Sequence, residues 1–377
     1  MGWTEPGRVL RLNGPRRLLR LGHVLRIGNL ELDSPAIQAA LSGYSDLPMR
    51  RIARRCGAPY ALNEVVLDRI VLSRGRKRRR ILDVAPHDHP LGGQLLGSEP
   101  DELAHAADAM VRAGYDVIDI NFGCPVRKVL NRRRGGWLLG DPPTALAIVR
   151  AVYDAVGGRR PVTLKMRRGM DDSPESERNF FVILDGALEI GVAAVTVHPR
   201  TVRQRYVGPS RWEFLARVRR HAPGAVVLGS GDLFCAEDVV RMMQETGVNG
   251  VAIARGCIGN PWIFRDCRAL LRGEPLPPPP SVAEQADVIA EHYRHAVELH
   301  GEVRGSRIMR KFGIRYAEYH PCRDEVKAAF IRVRNAAQWR AVLDRWYDPG
   351  ASWPPFRRKL DPSDLVAAGA RLRALER

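Results

Sequence analysis

The chain has 377 residues, 45% of them hydrophobic, and sets 60 Lys and Arg against 42 Asp and Glu for a net charge of +18. No run approaches the roughly 18 uninterrupted apolar residues of a membrane span, which predicts a soluble globular protein. Most of the positive excess is arginine, whose planar fork suits phosphate, so nucleic acid leads as the partner class. Cys56, Cys124, Cys235, Cys257, Cys267 and Cys322 lie far apart with no CxxC pair. That spacing suggests neither a zinc ribbon nor a disulfide framework and fits a reducing cytoplasm.

In chain order, residues 1–30 form a basic extension whose acids are limited to Glu5, with neither a clean amphipathic helix nor a signal sequence. From residue 35, short apolar runs recur, each followed by a turn and a segment of helical period. The runs are PAIQAAL from 35, YALNEVV from 60, LGGQLLG from 91, VIDINFG from 117, VTLKMR from 162, AAVTVHP from 193, AVVLGSG from 225 and GVAIARG from 250. The intervening segments include DLPMRRIARRC, PDELAHAADAMVRAG, PPTALAIVRAVYDAV, SERNFFVILDGALEIG and AEDVVRMMQETG; several open on Asp, Ser or Pro and close on Gly, as capped helices do. Eight apolar strands alternating with helices predict a parallel sheet closed as a (β/α)8 TIM barrel over 31–272. A doubly wound sheet competes, but Gly229 and Gly231 lack the third glycine of a dinucleotide fingerprint.

The four consecutive prolines, 277–280, within residues 273–281 read as a stiff extended linker. Beyond it, VAEQADVIAEHYRHAVELH, RIMRKFGIRYAEYH and EVKAAFIRVRNAAQWRAVL are amphipathic at helical spacing, so 282–350 reads as a small all-helical domain rich in arginine. The tail, 351–377, carries no interpretable pattern.

A barrel of this kind assembles its site at the C-terminal ends of its strands, and those ends are polar here. They present Ser42, Asn63 and Glu64, Gln94, Asn121 with Cys124, Lys165 and Arg167, His198 and Arg200, Ser230 and Asp232, then Arg255. Gly123 and Pro125 stop the fourth strand and hold Cys124 at its mouth, ahead of Arg127, Lys128, Arg132, Arg133 and Arg134. Taken alone, Cys124 reads as a buried apolar residue, while Lys165 reads equally as an ion-pair partner of Glu64 or Asp119 or as a contact to an anionic flavin ring edge, and His198 equally as a core histidine or as a hydrogen-bond partner of the same ring. Together the strand ends point to a site. The GSGD and ARGCIGN turns suit a phosphate, with Arg255 supplying charge. The RGRKRRR run at 74–80 reads as a loop contacting phosphate backbone.

The segment INFGCPVRKVLNRRRGGWLL resembles the signature of the tRNA-dihydrouridine synthases. SGYSDLPMR from 42, QLLGSEP from 94, VTLKMRRG from 162, VTVHPRT from 195, GSGDL from 229, IARGCIGNPWIF from 253 and MRKFGIRYAEYHP from 309 follow in that family's order, so the resemblance covers about residues 27–335. It implies an FMN-bearing barrel in which NADPH reduces the flavin, flavin N5 gives hydride to uracil C6 in tRNA, and Cys124 protonates C5. By the same resemblance Leu41, Ser42, Gln94, Lys165, His198, Ser230, Gly231, Asp232, Ala254 and Arg255 surround the cofactor. Asn121, Arg127, Lys128, Arg200, Arg310 and Lys311 face the RNA. Ala40-Leu41-Ser42, Ser230 and Ala254 depart from the family's usual residues around the cofactor. Two other readings stand beside this one: an FMN barrel acting on a free pyrimidine, and an RNA-binding relative without flavin.

Overall fold

The computed structural model describes residues 24–353; residues 1–23 of the basic extension and 354–377 of the tail lie outside the described residues. In chain order the elements are β1 (Leu25–Ile27), β2 (Leu30–Leu32), β3 (Ala36–Gln38), α1 (Leu47–Arg55), β4 (Ala61–Leu62), β5 (Val66–Leu67), α2 (Asp68–Leu72), α3 (Arg76–Leu82), β6 (Leu91–Leu96), α4 (Pro100–Arg112), β7 (Val117–Phe122) and α5 (Arg127–Leu130). There follow α6 (Pro142–Val156), β8 (Val162–Arg167), α7 (Pro174–Ile190), β9 (Ala194–His198), α8 (Trp212–His221), β10 (Val227–Gly229), α9 (Ala236–Thr246), β11 (Gly250–Ile253) and α10 (Ile263–Leu271). The described residues end with α11 (Val282–His300), α12 (Glu302–Tyr316), α13 (Arg323–Arg332) and α14 (Ala336–Trp346).

Strands β3, β4, β6, β7, β8, β9, β10 and β11 pair in parallel and close, with β11 bonded to β3 and β4 to β6. The eight apolar runs are the eight barrel strands. The second is interrupted at Asn63, after which β5 pairs again with β6. Caps fix the helix starts: Asp46, Asp141, Ser173 and Ser281 accept backbone N–H bonds from Met49, Thr144, Ser176 and Glu284.

Two layers of apolar contact hold this frame. Outward strand residues such as Ile118, Ile120, Leu164, Val195 and Val251 are sealed beneath the helices. Inward, Ile37, Ala39, Leu62, Val117, Ala194, Leu228 and Ala252 form a second cluster that β1 and β2 close from below with Leu25, Ile27 and Leu32. Gly28, at φ +59, opens the two-residue turn between these strands. The hairpin is missing from the charge-based reading of residues 1–30, and it forms the barrel's floor.

Two further expectations change. The RGRKRRR run is not a loop: residues 76–82 form α3, with no buried side chain. The segment 325–343 is not one helix, because Val333 is extended and Asn335 caps a new one through Gln338 N–H. Residues 274–281 contain no helix or strand, as four prolines dictate. The last four helices then return to the barrel, where α11 lies along α1. Arg51 reaches Glu298, Arg55 reaches Asp287 and Glu291, and buried His300 meets Asp46 at 3.2 Å. No described helix is long and apolar enough to cross a membrane.

Candidate active site at the barrel mouth

The site is built upward along β7. Its alternation buries Ile118, Ile120 and Phe122 against helices, which turns Asp119 and Asn121 into the barrel. Asp119 accepts hydrogen bonds from Thr163 Oγ1 and Gln94 Nε2, each at 2.6 Å. Gln94 Oε1 in turn accepts from Asn121 Nδ2 at 2.6 Å. Asn121 Oδ1 accepts the backbone N–H groups of Gly123 at 2.9 Å and Cys124 at 3.0 Å. The half-buried Cys124 therefore stands on a turn fastened to the barrel interior. From the other side Gly136 N–H bonds the Cys124 carbonyl at 3.0 Å, and Arg167 Nε bonds the Gly123 carbonyl at 2.8 Å.

Across the sheet, Lys165 stands in register with Asn121, and His198 with Arg167. Among the described residues Lys165 Nζ has no hydrogen bond or ion pair. Burial, reinforced by Arg167, pulls it down to about 8, against the opposing fields of Asp119 and Cys124. His198 is buried, and among the described residues no side chain bonds either ring nitrogen, the Ser230 backbone being the polar group that favours its protonated form. Burial and then Arg167, Lys165 and Arg200 hold it well below 6.5, so the ring is neutral. Gly231, at φ +107, clears the space beside it: a Cβ there would lie 2.4 Å from Ser210 Oγ and 2.7 Å from His198 Cε1. An unpaired lysine, a histidine without a side-chain partner and a wall without a side chain, all at one barrel end, fit a flat anionic ring system with a phosphate tail.

The remaining expected residues divide. Leu41 and Ser42 lie on the β3–α1 loop, where Ser45 Oγ donates to the Leu41 carbonyl at 3.2 Å. Ser230 and Ala254 sit at the ends of β10 and β11, and Ser230 N–H bonds Val197 O at 3.1 Å. Asp232 does not offer an open carboxylate: Oδ2 accepts from Arg200 at 2.6 Å and from Ser210 N–H at 2.9 Å, with Arg255 3.6 Å from Oδ1. Arg200 is buried, and its Nε and Nη2 are spent on Gly208 O and Asp232. Arg255 lies against the rings of Tyr206 and Phe234, at 4.9 and 5.5 Å.

Arg127 and Lys128 are exposed on α5, so the cations seen to share a field with the thiol are Lys165 and Arg167. Arg134 turns inward toward buried Asp68, 3.9 Å away, so the basic run after Cys124 is not wholly a solvated face. Arg310 is half-buried on α12, and Lys311 donates to the Gly43 carbonyl at the rim. One residue of the site was read in another role and one escaped the sequence reading. Asp119 is a hydrogen-bond hub rather than an ion partner, and Tyr206 lies 55% exposed over Arg167 and Arg255. An aromatic between arginines in RQRYVG was the available signal for Tyr206.

Residues 37–346 match the family model described as dihydrouridine synthase (Dus). The chain belongs to the dihydrouridine synthase family. It is 34% identical over 339 residues to a probable tRNA-dihydrouridine synthase of Mycobacterium tuberculosis, covering 88% of this chain and 86% of that one. A probable tRNA-dihydrouridine synthase of Rickettsia typhi is 35% identical, covering 86% and 98%. The tRNA-dihydrouridine synthase B of Pseudomonas aeruginosa is 36% identical, covering 83% and 92%. Among solved structures, morphinone reductase in complex with tetrahydroNAD superposes with a TM-score of 0.51 at 14% identity, covering 69% of this chain and 93% of that one. Histamine dehydrogenase from Rhizobium sp. 4-9 gives 0.50 at 14%, covering 73% and 50%. At such identities these two likenesses speak for the barrel fold alone. Within the Dus match lie Cys124 and every strand end described above.

Proposed function

We propose that this Dus-family protein reduces uridine to 5,6-dihydrouridine in tRNA, with FMN bound at the barrel mouth and NADPH as the reductant. The observation that carries this reading is the juxtaposition of the Cys124 turn with buried Lys165 and His198, neither of which meets a side-chain partner among the described residues, across one rim. When bound, the flavin would supply the hydride that uracil C6 receives. Cys124 Sγ holds the proton that C5 receives, a general-acid role worth about 10²- to 10⁴-fold in rate. Lys165 Nζ offers charge to an anionic ring edge, and the neutral imidazole of His198 offers one donor and one acceptor. Arg255 and the backbone around Gly231 face the phosphate end. Tyr206, exposed over Arg167 and Arg255, offers a stacking face to an incoming nucleobase, and that base must leave its stack to arrive.

The exposed cations of α3 and α12 suit a folded polyanion better than a free pyrimidine, which needs no such rim. The test is direct. Purified protein should be yellow and lose its colour with NADPH, and total tRNA from a strain lacking the gene should lose dihydrouridine at one or more positions. Unchanged dihydrouridine everywhere, or turnover of free uracil or orotate at rates matching tRNA, would overturn the reading.

A further inference from the structure

One side of the rim carries cations with no acid beside them. In the neighbouring rim loops the exposed arginines are answered: Arg203 reaches Asp171 at 2.9 Å and Arg211 reaches Asp172 at 3.4 Å. Arg127, Lys128, Arg132 and Arg133 are exposed in the stretch after Cys124, and among the described residues none of their side chains forms an ion pair or hydrogen bond. Arg133 lies instead over an aromatic ring, its guanidinium carbon 5.6 Å from the centre of Trp137. Its backbone is left-handed, at φ +54, a conformation uncommon for a residue with a side chain. Trp137 belongs to a short 3-10 helix, Gly135–Gly140, and follows directly on the Gly136 N–H that bonds the Cys124 carbonyl. Gly135 permits this approach, since at φ +59 a Cβ there would lie 2.9 Å from Cys124 Cβ. Indole and thiol therefore stand on adjoining segments.

Part of the Trp137 ring packs on the core, but its N–H is unspent. Trp212, Trp262 and Trp353 each donate to an oxygen at 2.7–3.1 Å, whereas among the described residues Trp137 Nε1 donates to none and is not shut off from solvent. A half-buried ring, an open N–H and a guanidinium beside it, set among unpaired cations, suit an unstacked base: the π-face accepts any base while the cations follow its phosphates. An acidic peptide would use the charge and leave the ring idle. We propose that Trp137, with Arg133 over it, is a stacking platform for one unstacked nucleobase, that of a nucleotide flanking the uridine presented to Cys124. A base drawn out of a stack leaves its neighbour without a partner face, and Trp137 supplies one while Tyr206 meets the target itself. The inference rests on the reading of the protein as a tRNA uridine reductase and adds a second base contact outside the barrel.

The experiment measures tRNA binding by wild-type, Trp137→Phe, Trp137→Leu and Arg133→Gln holoprotein over a range of salt, with thermal melts as the control for folding. Trp137→Leu keeps an apolar side chain and loses the aromatic face. Its Kd should rise about 5- to 150-fold, the scale of one stacked base, with the slope of log K against log salt unchanged. Trp137→Phe keeps a ring and should stay within about threefold of wild type, a recovery that a packing role would not show in affinity. Arg133→Gln removes charge as well as the stack and should also flatten the slope, by up to about 0.7 for a single-stranded contact. A folded Trp137→Leu variant that binds like wild type, or loses affinity only with a flattened slope, overturns the proposal, as does a Trp137→Phe variant that binds no better than Trp137→Leu. Should Trp137→Leu fail to fold, ultraviolet crosslinking of the wild-type complex decides: a nucleotide joined to the Trp137 peptide supports the platform, and a crosslink map that omits this peptide overturns it. If tRNA binding depends on Trp137 as stated but no uridine is reduced, the enzymatic reading fails and the platform stands. If tRNA is reduced and its binding ignores Trp137, only the platform fails, and a wild-type holoprotein that binds no tRNA overturns both.

Discussion

A lysine held inside a barrel without a partner destabilises the fold until an anion reaches it, and that cost is measurable in the protein alone. Lys165 is lowered from 10.5 to about 8 by burial first and by Arg167 second. Below pH 8 both folded and unfolded chains bind its proton, and the folded state carries the full penalty. Between pH 8 and 10.5 the folded state gives up the proton while the unfolded chain keeps it, so stability rises with pH across that window. The span corresponds to about 3 kcal/mol. Lys165→Met should therefore be more stable than wild type at pH 7 in urea unfolding without ligand, with the difference vanishing near pH 10.5. A wild-type curve that runs parallel to the variant's through this window would contradict the burial argument. Two neighbours give sharper functional outcomes. Cys124→Ala should lower tRNA reduction by about 10²- to 10⁴-fold while leaving NADPH-dependent bleaching intact, as a missing acid does. Gly231→Ala forces a methyl onto His198 and Ser210 at a positive φ, so flavin content on purification should fall, with a stability loss of about 1–3 kcal/mol. Cys124, Lys165 and His198 were legible because a strand's end is legible. Asp119 as a hub was not, since its partners Thr163 and Gln94 come from two other strands and only register brings them to one carboxylate.

At the scale of elements, period and caps gave eight strands and most helices, and the failures have physical causes. The β1–β2 hairpin is three residues a strand, too short for alternation to show, and its value lies in where it lands. Leu25, Ile27 and Leu32 are each at most 3% exposed against the barrel floor. Leu32→Ala should cost about 2–5 kcal/mol in denaturant unfolding, the range for a buried leucine. α3 was hidden for the opposite reason. It fully buries no side chain and packs on the core only through the partly buried Ile81 and Leu82 at its end, so no apolar stripe marks it, and Arg74 to Arg80 look like a loop by charge alone. Its exposed face predicts a separable phenotype. Replacing Arg76, Lys77 and Arg79 with Gln should leave the melting temperature unchanged. It should weaken tRNA binding and flatten the slope of log K against log salt by up to about 0.9 per lost phosphate contact.

For the whole molecule, the link between barrel and helical domain decides whether the two basic surfaces act as one. That link is intimate. Phe312 of α12 is 1% exposed and meets Tyr44 of the β3–α1 loop edge-on at 5.5 Å, while His292 of α11 lies 4.5 Å from its other side. Lys311 beside it sits 4.8 Å over the Tyr44 ring and donates to Gly43, within the loop that carries Leu41 and Ser42. Arg80 of α3 touches His300 at the end of α11, so the arginine helix, the rim loop and α12 share one corner. A polyanion gripped by α3 and α12, as proposed, would thereby be held at a fixed angle to Cys124. Phe312→Ala removes the ring at that corner and should cost about 3–5 kcal/mol. The loss would fall on the junction, since the barrel's own strands and floor do not depend on Phe312. The expected signature is a raised KM for tRNA with NADPH-dependent flavin bleaching preserved, and faster proteolysis between residues 273 and 281 as the domain works loose. An unchanged KM in a variant destabilised by that amount would mean that the helical domain grips RNA without orienting it, and that the barrel rim alone sets the approach to the thiol.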